Sequence, residues 1–574
     1  MGDLVIDIET NSLTPDTIWC MGSGKELLTE RKDIVRCVEE HNGNFIGHNA
    51  IAFDYPVLNR LYGTAIGYPK GLDTLVLSRL ATPSRAGGHS LESWGDRLGY
   101  PKGDHSDWSR YTPEMGEYCL RDVAVTEALK AALDIELAGF DQRSIDLEHE
   151  VAFIIAEQVR NGWKLDERAV FLLLAELKEK KLELEEEVHR NFRPRAVFHS
   201  DVVPKYKKDG TMSVVGIKFL GENCLEVVGG ALTRIDIVDF NLGSRTQIGE
   251  YLQRWGWVPT KFTPQTPKGG GGNVIVSEEV LKDVKGIPEA LLIADYLTVT
   301  RRIAMAQSWL DFVGPDGRVH GEVNSNGAVT GRMTHMRPNV AQTTSGTKIY
   351  GPEMRACWIA EDGYSIVGMD ASGLELRMLA HYMNDEAYTF EVVNGDVHTK
   401  NQQAAGLLTR DEAKTFIYAY LYGAGDAKIG QIIGGTAADG KRLKAQFLAN
   451  TPALRTLRDR VAVSAKRGWL LGLDGRRIAV RSPHAALNSL LQGAGAVVMK
   501  QALCNLHRFA TAQKMDFKVV GNIHDELQAE VKDTQVQKFG KLAEYAMVKA
   551  GTDFNLRIPL AGKFKFGPSW RETH

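Results

Sequence analysis

Asp370-Ala-Ser-Gly-Leu-Glu375-Leu-Arg-Met-Leu-Ala380 and, far downstream, Ile523-His-Asp525-Glu526-Leu527 each set a carboxylate at the end of a strand. The first follows a short β-rich run, Tyr364-Ser-Ile-Val-Gly-Met, and leads into the helical apolar spacing Leu374, Met378, Leu379, Met383. Asp370 therefore sits where a strand hands over to a helix. The second lies near the bend of an alternating hairpin over 517–531, with Val519, Gly521 and Ile523 against Leu527, Ala529 and Val531. Adjacent acids on a tight turn repel one another and call for a positive partner. Hard oxygen ligands suit Mg²⁺, and two ions about 3.5–4 Å apart can clamp an in-line phosphoryl displacement. For either segment alone, a turn with solvated acids is the simpler reading.

At 574 residues with 43% apolar content, the chain can bury several cores, and about three to five subdomains are expected. A formal net charge of −3 makes it no general sponge for polyanions, so any nucleic-acid contact must come from local Lys and Arg clusters and weaken with salt. Cys20, Cys37, Cys119, Cys224, Cys357 and Cys504 show no paired spacing, which fits a reducing compartment and argues against structural zinc. With no basic leader and no run of about 18 apolar residues, a soluble cytoplasmic protein and no membrane partner are expected.

A second acidic set lies at the front of the chain. In Leu4-Val-Ile-Asp7-Ile-Glu9-Thr10, the strand period of two puts Asp7 and Glu9 on one face, where their repulsion again asks for a cation. Asp54 ends a loop beginning at Gly47; as the N-cap of a helix with Pro56 in its first turn it has an equally good structural explanation. From Glu117 a long helix carries Leu120, Val123, Ala124, Ala128 and Ala131 on one side and Val125, Leu129 and Leu133 on another. Tyr118 and Asp122 continue the second side, which places a tyrosine and an acid at a covered position, as part of a site.

The middle of the chain is helical and charge-rich from 144 to 191, a solvated pattern. Residues 193–237 mix Arg193, Arg195, Lys205, Lys207 and Lys208 with short β-like runs and look inserted, and Pro267-Lys-Gly-Gly-Gly-Gly-Asn273 reads as a loop. The strongest helix signal runs from Thr409 to Gly423. Thr409 and Glu412 form a capping box, and Ala413, Phe416, Ile417, Tyr420 and Leu421 form a buried stripe. Arg410, Lys414 and Tyr418 descend a separate face. Two cations near a positive helix terminus repel one another unless an anion such as a triphosphate docks there; pairing with surface acids is the alternative.

Asp7-x-Glu9, the Asn49 to Asp54 segment and Tyr118-x-x-x-Asp122 resemble the three motifs of 3′-to-5′ proofreading exonucleases over roughly the first 135 residues. Asp370-x-Ser-Gly-x-Glu375, Arg410-x-x-x-Lys414-x-x-x-Tyr418-x-x-x-Tyr422-Gly423 and His524-Asp525-Glu526 look like motifs A, B and C of family A, polymerase I-like, DNA polymerases. Thr330-Gly-Arg332 to Pro338-Asn339 is similar to that family's primer-binding motif. The details most resemble the short replicative polymerases of podovirus-type bacteriophages. The resemblance fades only between 193 and 237.

What the resemblance implies is specific. The fold is α/β and α+β multidomain: a ribonuclease H-like exonuclease over 1–140, the start of palm and thumb over 141–315 with the insert 193–237, palm over 316–394, fingers over 395–485 and palm again over 486–574. The activity is template-directed transfer from dNTPs to a primer 3′-hydroxyl, with proofreading. Asp370, Asp525 and the backbone carbonyl of Ala371 would hold two Mg²⁺ ions, Mn²⁺ being a possible substitute, with Glu526 nearby. Asp7, Glu9, Asp54 and Asp122 would hold a second pair, and Tyr118 would orient water. His398, Arg410 and Lys414 would grip the triphosphate, Tyr418 would stack on base and sugar, and Tyr422 would take the template side. Glu375 would crowd the ribose 2′ position, although Ser372-Gly-Leu-Glu375 also reads as a capping box. Arg332, Asn339, Asn488, Gln492 and His524 would meet primer–template DNA. The implied partners are a processivity factor at the insert, host thioredoxin or another protein, and a phage helicase-primase, in the cytoplasm of an infected bacterium. A single-subunit RNA polymerase shares a similar palm but not Glu375 or an attached exonuclease; a polymerase-derived DNA-binding scaffold would have lost some of these acids.

Overall fold

A computed structural model describes residues 2–100, 103, 105–203, 205–213, 232–264 and 272–573. Two compact units result, one formed by 1–166 with 312–574 and one by 167–311.

The first unit opens with a five-stranded sheet ordered β3 (Glu26–Leu28), β2 (Ile18–Ser23), β1 (Leu4–Thr10), β4 (Phe45–Gly47), β5 (Gly71–Asp73). β1 runs antiparallel to β2 and parallel to β4, and β4 runs parallel to β5. The helices α1 (Arg31–Glu40), α2 (Asp54–Tyr62), α3 (Thr74–Ala81), α4 (Leu91–Leu98) and α5 (Pro113–Glu136) accompany it. Pro113 in the first turn and a Thr112 side chain that accepts from the Met115 N–H start α5. The helix buries Met115, Cys119, Asp122, Val123, Val125, Thr126, Leu129 and Leu133; Val123 packs with Val5 and Ile46 of the sheet, while Leu129 and Leu133 pack with Leu77 and Leu80 of α3 and Trp94 of α4. Both expected apolar sides are covered, at Val123 on one and at Val125, Leu129 and Leu133 on the other, whereas Ala124 and Ala131 of the first side are exposed, since alanine methyls offer little area to bury. Asp122 is among the buried residues. Asp54 is the first residue of α2, with Phe53 at the cap position and no side-chain cap bond, so the capping explanation of Asp54 does not hold.

α6 (Gln142–Asn161) starts at an Asp141 cap and buries Leu147, Val151, Ile154 and Ile155 together with the polar Glu148 and His149. Beyond it, four antiparallel strands are ordered Phe517–Ile523, Glu526–Lys532, Tyr364–Ala371, Gly562–Gly567. The helix Ala486–Ala512 is buried nearly all round between Leu490 and Leu506, as expected of a helix at the centre of a core rather than on its surface. It packs against the helices Leu374–Met383 and Val536–Asp553. The helix over 410–421 appears as expected, with both capping-box bonds formed and Ala413, Phe416, Ile417 and Leu421 buried; Tyr420 is half-buried.

In the second unit, α7 (Glu167–Asn191) packs along the helix Glu289–Asp311. The ends of the segment read as an insert form an antiparallel pair, Arg195–Val202 with Leu232–Val238, while 204 and 214–231 lie outside the described residues. So do 265–271 of the glycine-rich loop. Phe192, Phe240, Tyr251 and Trp255 stack beside this pair, with Phe192 and Phe240 ring centroids 4.5 Å apart. No helix among the described residues is long and apolar enough to cross a membrane.

Candidate active sites

The hairpin at 517–532 turns through His524 and Asp525, and His524 takes the left-handed φ of 57° that such tight turns require. Antiparallel pairing then sets Asp370 directly opposite Glu526 on one side and Lys563 on the other. One residue on, the Ala371 N–H donates to the Asp525 carbonyl at 3.0 Å. Residues separated by more than 150 positions are thus joined at the backbone. Asp370 is exposed and Asp525 half-buried. Burial, with the charge of Glu526 adding, pushes the Asp525 carboxyl above its usual range, and the turn's own N–H offsets part of that. Both open onto a cleft of about 500 Å³ that Arg332, Ala371, Glu375, Tyr418, Tyr422, His524 and Glu526 also line.

Within that cleft Glu375 does not cap its helix. Gly373, at φ 58°, occupies the cap position with no side-chain bond, and the Glu375 carboxylate instead accepts the Tyr422 hydroxyl at 2.5 Å, with Arg332 Nη2 3.7 Å away. The Ser372 capping box is corrected accordingly. Glu526 is held by groups that sequence reading missed: Trp570 Nε1–H and Gln528 Nε2–H each donate to it at 3.4 Å. Arg355 approaches it at 3.9 Å while stacking over the Trp570 ring at 4.4 Å. A tryptophan four residues from the end of the chain gives no local signal of such a role.

Arg410, Lys414 and Tyr418 share one face of the helix Arg410–Leu421, and the His398 ring lies 6.2 Å from that of Tyr418. Burial first, then Arg410, lowers the His398 pKa. Arg410 Nε donates at 2.6 Å to Asp396, which also caps the helix Val397–Ala405. Of this group only Tyr418 lines the cleft. Asn488 and Gln492 stand one turn apart and half-buried at the start of the helix Ala486–Ala512. Neither they nor Asn339, whose buried Oδ1 has no hydrogen bond, line the cleft.

The front acids also come together. The Ile8 N–H donates to Asp54 Oδ1 at 3.1 Å, which draws α2 onto β1 between Asp7 and Glu9. Cys119 Sγ reaches the Asp7 carbonyl and carboxylate at 3.5 and 3.7 Å, and ligand atoms of Asp7, Glu9 and Cys119 all lie within 4.8 Å of one another. Burial, then Asp54, Glu9 and Asp122, raises the Asp7 pKa well above its usual value. Burial pushes Asp54 up to about 7. Such crowding of carboxylates is what a cation would relieve. Tyr118 packs edge-on to Trp108 at 5.8 Å. Cys119 was not read as part of the set, although its place between Tyr118 and Asp122 on the stripe that faces β1 marks it.

The model of the family described as DNA polymerase family A matches residues 221–572. The DNA-directed DNA polymerase of Enterobacteria phage T3 is 35% identical over 670 aligned residues, covering 94% of this chain and 94% of that protein, and so is the enzyme of Escherichia phage T7. This chain belongs to DNA polymerase family A. It is a DNA-directed DNA polymerase of the kind found in those phages. The family A fold extends over the whole molecule: the polymerase domain of Pol1 from M. smegmatis, solved with DNA primer-template and dNTP, superposes with a TM-score of 0.77 at 19% identity and covers 99% of this chain and 96% of that one.

Proposed function

We propose that this polymerase extends primer–template DNA with dNTPs at the 370/525 cleft and proofreads at the Asp7 site, each with a pair of Mg²⁺ ions. The observation that carries the first assignment is the backbone bond from Ala371 to Asp525 with Asp370 facing Glu526 across the strands. The oxygen donors suit a hard dication: Asp370, Asp525 and the Ala371 carbonyl would hold it. Bound Mg²⁺ would lower the pKa of the primer 3′-hydroxyl and stabilise the pyrophosphate leaving group. Tyr418 offers a ring to the incoming base and sugar in the cleft, while Arg410 and Lys414, on the same helix face as Tyr418, and His398, from the neighbouring helix Val397–Ala405, meet its phosphates. Glu375, fixed by Tyr422, narrows the space for a ribose 2′-hydroxyl. Arg332, Asn339, Asn488, Gln492 and His524 contact the primer–template.

Asp7, Glu9, Asp54 and Asp122 would hold the second ion pair, with Tyr118 orienting water. A mismatched terminus is poorly held in the palm, frays more readily and reaches these acids as single strand. The domain limits follow those of the resemblance, with the exonuclease over 1–140, fingers over 395–485 and palm flanking them. The insert 193–237 is a candidate surface for a processivity factor, and the setting is phage replication in the host cytoplasm beside a helicase-primase. Replacing Asp7 and Glu9 together by alanine should abolish degradation of single-stranded DNA and leave extension of a primed template intact. Persisting degradation overturns the exonuclease assignment.

A further inference from the structure

Beneath the cleft lies a cluster of four buried charges drawn from three elements. Glu148 of α6 accepts Lys500 Nζ at 2.5 and 2.8 Å and Arg476 Nη1 at 2.6 Å. Arg476 also forks onto both oxygens of Asp474, with bonds of 2.6 to 2.9 Å. Side-chain exposure is 0% for Glu148 and Asp474, 2% for Lys500 and 4% for Arg476. Four charges removed from water lose several kcal/mol of hydration each, and hydrophobic replacements of such clusters are often as stable or more so, so stability alone is a poor reason for this arrangement.

The cluster instead touches the residue next to a proposed DNA contact. Arg476 Nη1 lies 2.6 Å from where a Cβ on Gly331 would stand, and Gly331 holds a left-handed φ of 74°. Only a glycine lets the backbone rest this closely on the guanidinium. The next residue, Arg332, projects into the cleft beside Glu375. The guanidinium is itself fixed from behind, because its hairpin turn docks on the α6 cap, where Gly475 approaches Asp141. Arg476 is thus a rigid plane under the turn.

We propose that Arg476, locked by Glu148, Asp474 and Lys500, is a positioning residue that sets the height and direction of Arg332 against the primer terminus. The inference rests on the proposed contact of Arg332 with primer–template DNA. Arg476→Lys keeps the charge and loses the planar fork. Single-turnover extension and primer–template Kd are measured on the full chain for Arg476→Lys, Arg332→Ala and the double variant. Arg476→Lys should slow extension by about tenfold with Kd nearly unchanged, and should slow the Arg332→Ala enzyme no further. Gly331→Ala, whose added methyl pushes the turn off the Arg476 guanidinium while all four charged side chains are retained, should show the same non-additivity and serves if Arg476→Lys folds poorly. Equal slowing in both backgrounds, or an unaltered rate, overturns the inference. Undiminished extension by Arg332→Ala removes the underlying contact, and this inference with it.

Discussion

Glu375 shows how one side chain can be claimed by two local rules. Its spacing from Ser372 fits a capping box, yet the left-handed Gly373 ends the strand first and the carboxylate turns to the Tyr422 hydroxyl. That outcome depends on a residue 47 positions away, which no local pattern contains. The same carboxylate bounds the cleft beside Tyr418 and Tyr422. Glu375→Ala should therefore raise incorporation of ribonucleotides relative to deoxyribonucleotides by about tenfold or more, read from competing rNTP and dNTP extension on one template. Unchanged discrimination would remove Glu375 from sugar selection. Asp370, Asp525, Asp7 and Glu9 stood out as candidates only because acids recur at strand ends or on one strand face in a set of ordered motifs, whereas Arg355, Trp570 and Cys119 did not, since each touches a neighbour remote in the chain.

Elements with both a cap and a periodic stripe were the most legible. The helix Arg410–Leu421 carries its own start signal, and its buried positions follow directly. Thr409→Ala should cost about 1 kcal/mol of stability by leaving the first-turn N–H groups without a partner, measurable as a lower denaturant midpoint. In α5 the valines and leucines of both expected sides are buried while Ala124 and Ala131 are not, because an alanine-rich turn looks apolar in sequence but offers little area to cover. The contact between α6 and the helix Ala486–Ala512 was invisible for another reason, since an isolated Glu148 or Lys500 reads as a solvated charge. Burial lowers Lys500 to about 8 despite Glu148, against an ordinary lysine value of 10.5. Between those two pH values the unfolded chain binds more protons than the folded one, so this group's contribution to stability is lowest below pH 8 and rises toward pH 10.5. The stability difference between wild type and Lys500→Met should shift in favour of wild type from pH 7.5 to 9.5. A difference independent of pH would contradict the lowering of the Lys500 pKa by burial.

At the scale of the whole molecule, order along the chain carried the fold: an acidic α/β front, then strand–helix and hairpin motifs around a capped helix, matched by the five-stranded and four-stranded sheets. Register, by contrast, had no sequence signature. Nothing local foretells that Asp370 faces Glu526 and Lys563, because pairing between distant strands is selected by the burial of whole faces rather than by any pair of residues. The two acidic sites lie on separate sheets, so each should fail without the other. The most direct test is single-turnover primer extension by Asp370→Asn and Asp525→Asn across a Mg²⁺ titration, with single-strand degradation followed in the same samples. Convergence of these two carboxylates on the reacting phosphate predicts that each substitution slows extension by roughly a thousandfold or more at every Mg²⁺ concentration while degradation continues. Wild-type extension by either variant would contradict it.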